Sequence, residues 1–206
     1  MRKFTRLSAL AAPILRENVD TDVIIPIDRL VGNSSRGKLG PWCLAALRYL
    51  PDGRENPEFI LNREPYRAAQ ILITGPNFGC GSSREGAVWA LEEMGIRCVI
   101  GSSFGDIFFN NCFQNGLLPV VLDRQTVESL AREVEASQGA GRVEVDLEAM
   151  TVTSPAGRRY AFAVEPKRRE ALLEGLDEIG MTLRRAADIA AFQARDRQAR
   201  PWVYEL

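Results

Sequence analysis

The run Gly75-Pro76-Asn77-Phe78-Gly79-Cys80-Gly81-Ser82-Ser83-Arg84-Glu85-Gly86 concentrates the residues best suited to chemistry. It follows a short apolar segment, Ile71 to Thr74, and precedes apolar residues at helical spacing, Ala87, Leu91 and Met94. A glycine-rich strand-to-helix junction of this kind is an anion site: amides at a helix start lack intrahelical partners and carry partial positive charge. Arg84 adds a fork of donors that fits a carboxylate or phosphate bidentately. Gly79 and Gly81 let the backbone approach a ligand. A structural account competes. Ser82 to Glu85 matches the S-x-x-E capping box, which would make Ser82 a helix cap worth about 1 kcal/mol and nothing more. An arginine in the first helical turn opposes the helix dipole, and a ligand explains that feature better than a cap does.

What is missing narrows the chemistry. The 206-residue chain has no histidine, so a Ser-His-Asp triad, a Cys-His dyad and every histidine metal site are excluded. Gly79-x-Gly81-x-x-Arg84 is a poor dinucleotide fingerprint, with arginine where the third glycine belongs, and G-x-S-x-G is absent. Cys43, Cys80, Cys98 and Cys112 form no C-x-x-C pair, so a zinc or iron–sulfur site held by this chain alone is not expected. The net charge of −1 supplies no general field for nucleic acid or acidic lipid. Met1-Arg2-Lys3 and the apolar stretch Leu7 to Leu15 superficially resemble a leader. Pro13 interrupts that stretch and Arg16-Glu17 end it, and we expect a soluble N-terminal segment of a cytoplasmic protein.

The elements that must position the junction read as α/β. Strands are predicted at 71–74, 97–102 and 117–122, alternating with helices from 82 to 94, 104 to 115 and 124 to 137, which implies parallel pairing. Alternation of Val143, Val145 and Leu147 with acids, then a Pro155-Ala156-Gly157 turn, predicts antiparallel hairpins. Pro166 opens a short helix, and 185–195 forms a last one. Residues 1–206 are expected to make one domain. Within it, the turn-rich 27–55 is a mobile substrate-loop region and 142–206 holds the hairpins and terminal helices.

Taken together, Phe4 to Leu7, Asn18 to Asp22, Asn56 to Asn62, Asn77 to Glu85, Ser103 to Phe108, Asn110 to Phe113, Asn115 to Pro119 and Gly175 to Gly180 resemble the small subunit of bacterial 3-isopropylmalate dehydratase, of the aconitase superfamily. The resemblance spans nearly the whole chain. It implies a swivelling β/β/α domain, a mixed sheet flanked by helices, that closes over the active site of a separate large subunit. The pair would be a heterodimer or heterotetramer. It implies a hydro-lyase of leucine biosynthesis interconverting 2- and 3-isopropylmalate, with a [4Fe–4S] cluster held by the large subunit and no cofactor in this chain. By the same resemblance, Ser82 moves the carbon-bound proton. Arg84 binds a substrate carboxylate with Ser83 in support. Thr21, Asp22, Gly79 and Gly81 orient these groups. Leu30 and Val31 would face the alkyl group, and Arg36 a carboxylate. The family pattern continues Arg-Glu-His-Ala where this chain has Arg84-Glu85-Gly86-Ala87, which leaves a related substrate such as 2-methylmalate (citramalate) open. A stand-alone anion- or nucleotide-binding module is the remaining alternative.

Overall fold

The computed structural model describes residues 1–31 and 36–204. Gly32, Asn33, Ser34 and Ser35, the turn-rich centre of the expected substrate loop, lie outside the described residues.

The parallel and antiparallel pairings foreseen from the sequence fall in two separate four-stranded sheets. The parallel sheet has the order β2 (Ala11–Ile14), β3 (Ile71–Thr74), β4 (Cys98–Gly101), β5 (Leu118–Val121). The antiparallel sheet has the order β1 (Arg6–Ala9), β6 (Val143–Asp146), β7 (Thr151–Thr153), β8 (Arg159–Ala161). The Leu7–Leu15 stretch is therefore not a separate leader-like segment. Its chain leaves one sheet at Ala9 and enters the other at Ala11, and Leu10 between them accepts from the amides of Gln70 and Ile71 at 3.1 and 3.3 Å. Pro13, which argued against regular structure there, sits on an edge strand, as Pro119 does on the opposite edge. An edge strand has one side free of ladder bonds and accommodates the missing N–H.

The helices are α1 (Thr21–Ile24), α2 (Ala45–Arg48), α3 (Glu85–Glu93), α4 (Asp106–Asn115), α5 (Arg124–Ala136), α6 (Pro166–Glu174), α7 (Glu178–Leu183) and α8 (Ala186–Ala199). The parallel strands are buried on both faces, so they read as continuous apolar runs. Their side chains alternate between two cores. Ile71, Ile73, Cys98, Ile100, Leu118 and Val120 pack with α5 and the antiparallel sheet. Leu72 and Val99 pack with α3, α4 and the segment from Val19 to Leu61. The 27–55 stretch contributes Leu39, Cys43 and Leu44 to that second core, all essentially inaccessible. Among the described residues, no helix is long and apolar enough to cross a membrane.

This two-core arrangement makes the central strands sensitive to volume. Replacing the fully buried Leu72 by alanine should cost about 2–5 kcal/mol. The check is a shift of the urea midpoint with an unchanged slope.

Candidate active site

Three loops meet beyond the carboxyl ends of β2, β3 and β4, where open α/β sheets bind ligands. Isolated parallel bridges pair Asp20 with Cys80 and Phe78 with Phe104, so the sheet continues into these loops. The Gly79 amide donates to the Val19 carbonyl at 2.7 Å, and the Thr21 amide to the Cys80 carbonyl at 2.9 Å. The Gly105 amide donates to the Phe78 carbonyl at 2.9 Å. Gly79 and Gly81 both hold positive φ, +74° and +88°. A Cβ on Gly79 would also fall 2.3 Å from the Phe108 ring. Both positions therefore need glycine for backbone reasons, and together they turn the chain so that residues 82–84 emerge on the surface.

The helix does not begin where the capping-box pattern places it. α3 starts at Glu85, and its N-cap is Arg84, with no side-chain cap bond. Ser82 is therefore not a cap. Glu85 does not reach back either; its carboxylate accepts from the Asn115 side-chain amide at 2.9 Å. Ser82 and Ser83 stand exposed just before the helix. The Ser82 carbonyl is held by the buried Thr21 hydroxyl, which donates to it at 2.9 Å. Arg84 is mostly buried, its side chain 13% exposed, and is ion-paired and hydrogen-bonded to Asp22. Asp20, one residue before α1, caps that helix by accepting from the Val23 amide at 2.8 Å, which sets the direction in which Thr21 and Asp22 project. The structure thus brings Thr21, Asp22, Gly79, Gly81, Ser82, Ser83 and Arg84 together.

It places the other three expected residues differently. Leu30 does not face open space: it packs over Gly86, where an added Cβ would come within 2.5 Å of its terminal carbon. Gly86 thus serves as a seat for Leu30. Val31 is exposed. Arg36 lies along the flank of α3, away from Arg84. It donates to the Asn115 side-chain oxygen at 3.2 Å, pairs with Glu92 at 3.4 Å, and stacks over Trp89 with its guanidinium carbon 5.2 Å from the ring centre. Half-burial raises the Glu92 carboxyl above the usual range, and Arg36 offsets part of that.

Asn115 was not foreseen as part of this region. It is buried and accepts from Arg36 and the Trp89 indole while donating to Glu85 and the Asn111 carbonyl. Its only sequence signal is its place before Gly116, which reads as an ordinary helix end.

The site contains serine, arginine, carboxylate and amide groups, which suit an anionic substrate and a proton transfer. The cysteines do not suit an iron–sulfur cluster, which requires thiolates. Cys43, Cys98 and Cys112 are fully buried, and burial pushes all three thiols up, Cys43 to about 12. Among the described residues there is no group of three or more potential metal-binding His, Cys, Asp or Glu side chains.

An anion-binding serine–arginine loop at the strand ends of this two-sheet α/β fold defines a domain of the aconitase C-terminal class, and a model described as the aconitase C-terminal domain matches residues 1–125. Residues 128–166 match a model described as LeuD_N, and 178–205 match a model of the C-terminal domain of the 3-isopropylmalate dehydratase small subunit. The chain is 52% identical to a 3-isopropylmalate dehydratase small subunit of Gluconacetobacter diazotrophicus, over 98% of this chain and 97% of that one. It is 48% identical to a Paracoccus denitrificans relative of the same description, over 98% of this chain and all of the other. The chain belongs to the 3-isopropylmalate dehydratase small-subunit family. A crystal structure of a 3-isopropylmalate dehydratase from Methanocaldococcus jannaschii shares the fold, with a TM-score of 0.65 at 23% identity, over 90% of this chain and 98% of that one.

Gly86 gives this site a direct test. Alanine there gains up to about 1 kcal/mol of helix propensity, but its Cβ must turn the end of Leu30 aside. Gly86→Ala should leave global stability within about 1 kcal/mol of the parent while shifting the Leu30 methyl resonances.

Proposed function

We propose that this chain is the small subunit of a hydro-lyase that interconverts 2-isopropylmalate and 3-isopropylmalate through 2-isopropylmaleate in leucine biosynthesis, and that it works only with a large subunit. The observation that carries the reading is the exposed Ser82 held beside an anchored Arg84 at a strand–helix junction. Family membership specifies the reaction.

In this reading the substrate carboxylate docks on Arg84. Asp22 keeps the guanidinium partnered and its plane fixed until the substrate arrives, and the half-exposed Asp22 can rotate toward solvent when a second carboxylate comes in. Ser82 removes the proton from carbon as hydroxide leaves the neighbouring carbon, forming the alkene. Hydration in the opposite sense returns a proton to one carbon and hydroxide to the other, so atoms balance over the cycle. A serine hydroxyl is a weak base. Arg84, the amides that open α3 and the glycine-loop amides stabilise its anion by placing positive charge nearby. Ser83 supports the carboxylate, and Thr21 holds the Ser82 backbone. Leu30, Val31 and Arg36 belong to the strap beside the site, where the substrate's alkyl group would lie. The [4Fe–4S] cluster is assigned to the large subunit as the Lewis acid for the hydroxyl group. The heteromer's stoichiometry and the cytoplasmic location follow the same reading.

Two substitutions test the assignment in a complex reconstituted with a cognate large subunit. Ser82→Ala should lower kcat by a factor of about 100 or more, the usual range for a lost general base, while assembly stays normal. Turnover at the parent rate would overturn the role of Ser82. Arg84→Lys keeps the charge but loses the bidentate fork, and should raise KM by about tenfold through the loss of roughly 1–2 kcal/mol of binding. Both variants should be assayed on isopropylmalate and on 2-methylmalate. A parent complex that turns over only the smaller diacid would reassign the substrate.

A further inference from the structure

The carboxylate of Glu93 has a use that the reaction chemistry does not require. Glu93 is the last residue of α3, and with Glu92 it places two acids at the negative end of the helix dipole. That arrangement opposes helix stability, so something else must favour the charge there. The partners are backbone amides of the strap. Glu93 Oε1 accepts from the Gly37 amide at 2.5 Å. Glu93 Oε2 accepts from the Gly40 amide at 3.1 Å and from the Leu39 amide. Gly40 lies so close that an added Cβ would come within 2.8 Å of the Glu93 carbonyl oxygen.

The strap is therefore fixed along the length of α3. Its first limb rests on the helix start, with Leu30 seated over Gly86 two residues from Arg84. Its returning limb ends on the helix terminus, where one carboxylate gathers three amides. Arg36 bridges the two on Trp89, Glu92 and Asn115. The same helix opens at the Ser82–Arg84 junction, so α3 sets the distance between the proton-transfer site and the strap.

We infer that Glu93 is a positioning residue for substrate selectivity: by clamping the amides of Gly37, Leu39 and Gly40 it fixes the strap that faces the side group of an alkyl-substituted malate, while leaving the carboxylate and proton chemistry to Arg84 and Ser82. The inference rests on the proposed reaction and adds to it a residue more than two helical turns from the chemistry.

The test uses the reconstituted complex. Glu93→Gln replaces one accepting oxygen by a donor facing the amides. It should raise KM for isopropylmalate about tenfold with kcat within about twofold of the parent, the mark of lost positioning in the bound state. Competitive inhibition by unsubstituted malate, which lacks the side group, should change less than about twofold. Glu93→Asp, which keeps the charge, should recover part of the loss. Gly40→Ala, which disturbs the clamp from the strap side with Glu93 intact, should reproduce the KM shift and covers the case in which Glu93→Gln fails to fold. Hydrogen exchange on the parent chain should show the amides of Gly37, Leu39 and Gly40 protected. Fast exchange at these amides in the parent overturns the clamp. An equal shift for isopropylmalate and malate, or none for either, overturns the selectivity role. A parent complex inactive on every alkylmalate instead overturns the proposed reaction, while the exchange measurement still decides whether the clamp exists.

Discussion

A mostly buried arginine at the positive end of a helix is unfavourable twice over, by desolvation and by the dipole. The ion pair with Asp22 is what allows Arg84 to stand there. Stripping such a charge of its partner costs about 3–5 kcal/mol when the pair is fully buried, and less here because Asp22 is half exposed. The pair joins segments more than sixty residues apart in sequence, and the Thr21–Ser82 hydrogen bond runs beside it. Together they take over the role that a capping residue would fill at the start of α3. The backbone at 82–84 is then held by α1 rather than by its own helix, and Ser82 is released from structural duty. An exposed serine next to an anchored cation follows from that single exchange of partners.

The same exchange explains why the local pattern misled. Ser82 to Glu85 satisfies the capping-box spacing, and an isolated peptide of that sequence would have reason to form it. In the fold, Asp22 claims Arg84, Thr21 claims the Ser82 carbonyl, and Asn115 claims the Glu85 carboxylate. Tertiary partners outbid a cap worth about 1 kcal/mol because each satisfies a group that packing would otherwise leave partly buried and unpaired. The arginine's poor fit to the helix start was readable in the sequence; the residue that resolves it was not.

Much of the central fold was legible for a related reason. From Ile71 to Ala136 the strands are apolar on both faces and the helices carry periodic apolar residues, so local composition and burial agree. Agreement failed in the first fourteen residues. β1 and β2 are four residues each, belong to different sheets and share a proline at a position that only an edge strand allows. Nothing local distinguishes that from an irregular segment. Of the site, Ser82, Ser83 and Arg84 were visible as a motif, and Thr21 and Asp22 came from the resemblance. The strap was not legible. Arg36 carries the right charge for a carboxylate, yet Asn115, Trp89 and Glu92 offer it a hydrogen bond, a π face and an ion pair at once, and all three lie more than fifty residues away.

The absence of histidine acquires a physical meaning in this setting. A chain that must activate a proton acceptor without imidazole can do so only by lowering the energy of an alkoxide, and that requires positive charge held close and kept dry. Arg84 meets the first condition because Asp22 holds it in place. The second is not met in this chain alone: Ser82 and Ser83 face solvent, where water stabilises the neutral hydroxyl and screens the arginine. Covering that face by another surface would remove the screening and strengthen every interaction with Arg84 at once. A site assembled in this way is inert when apart and active when covered, and the exposure of Ser82 is then a consequence of dividing the active site between two chains.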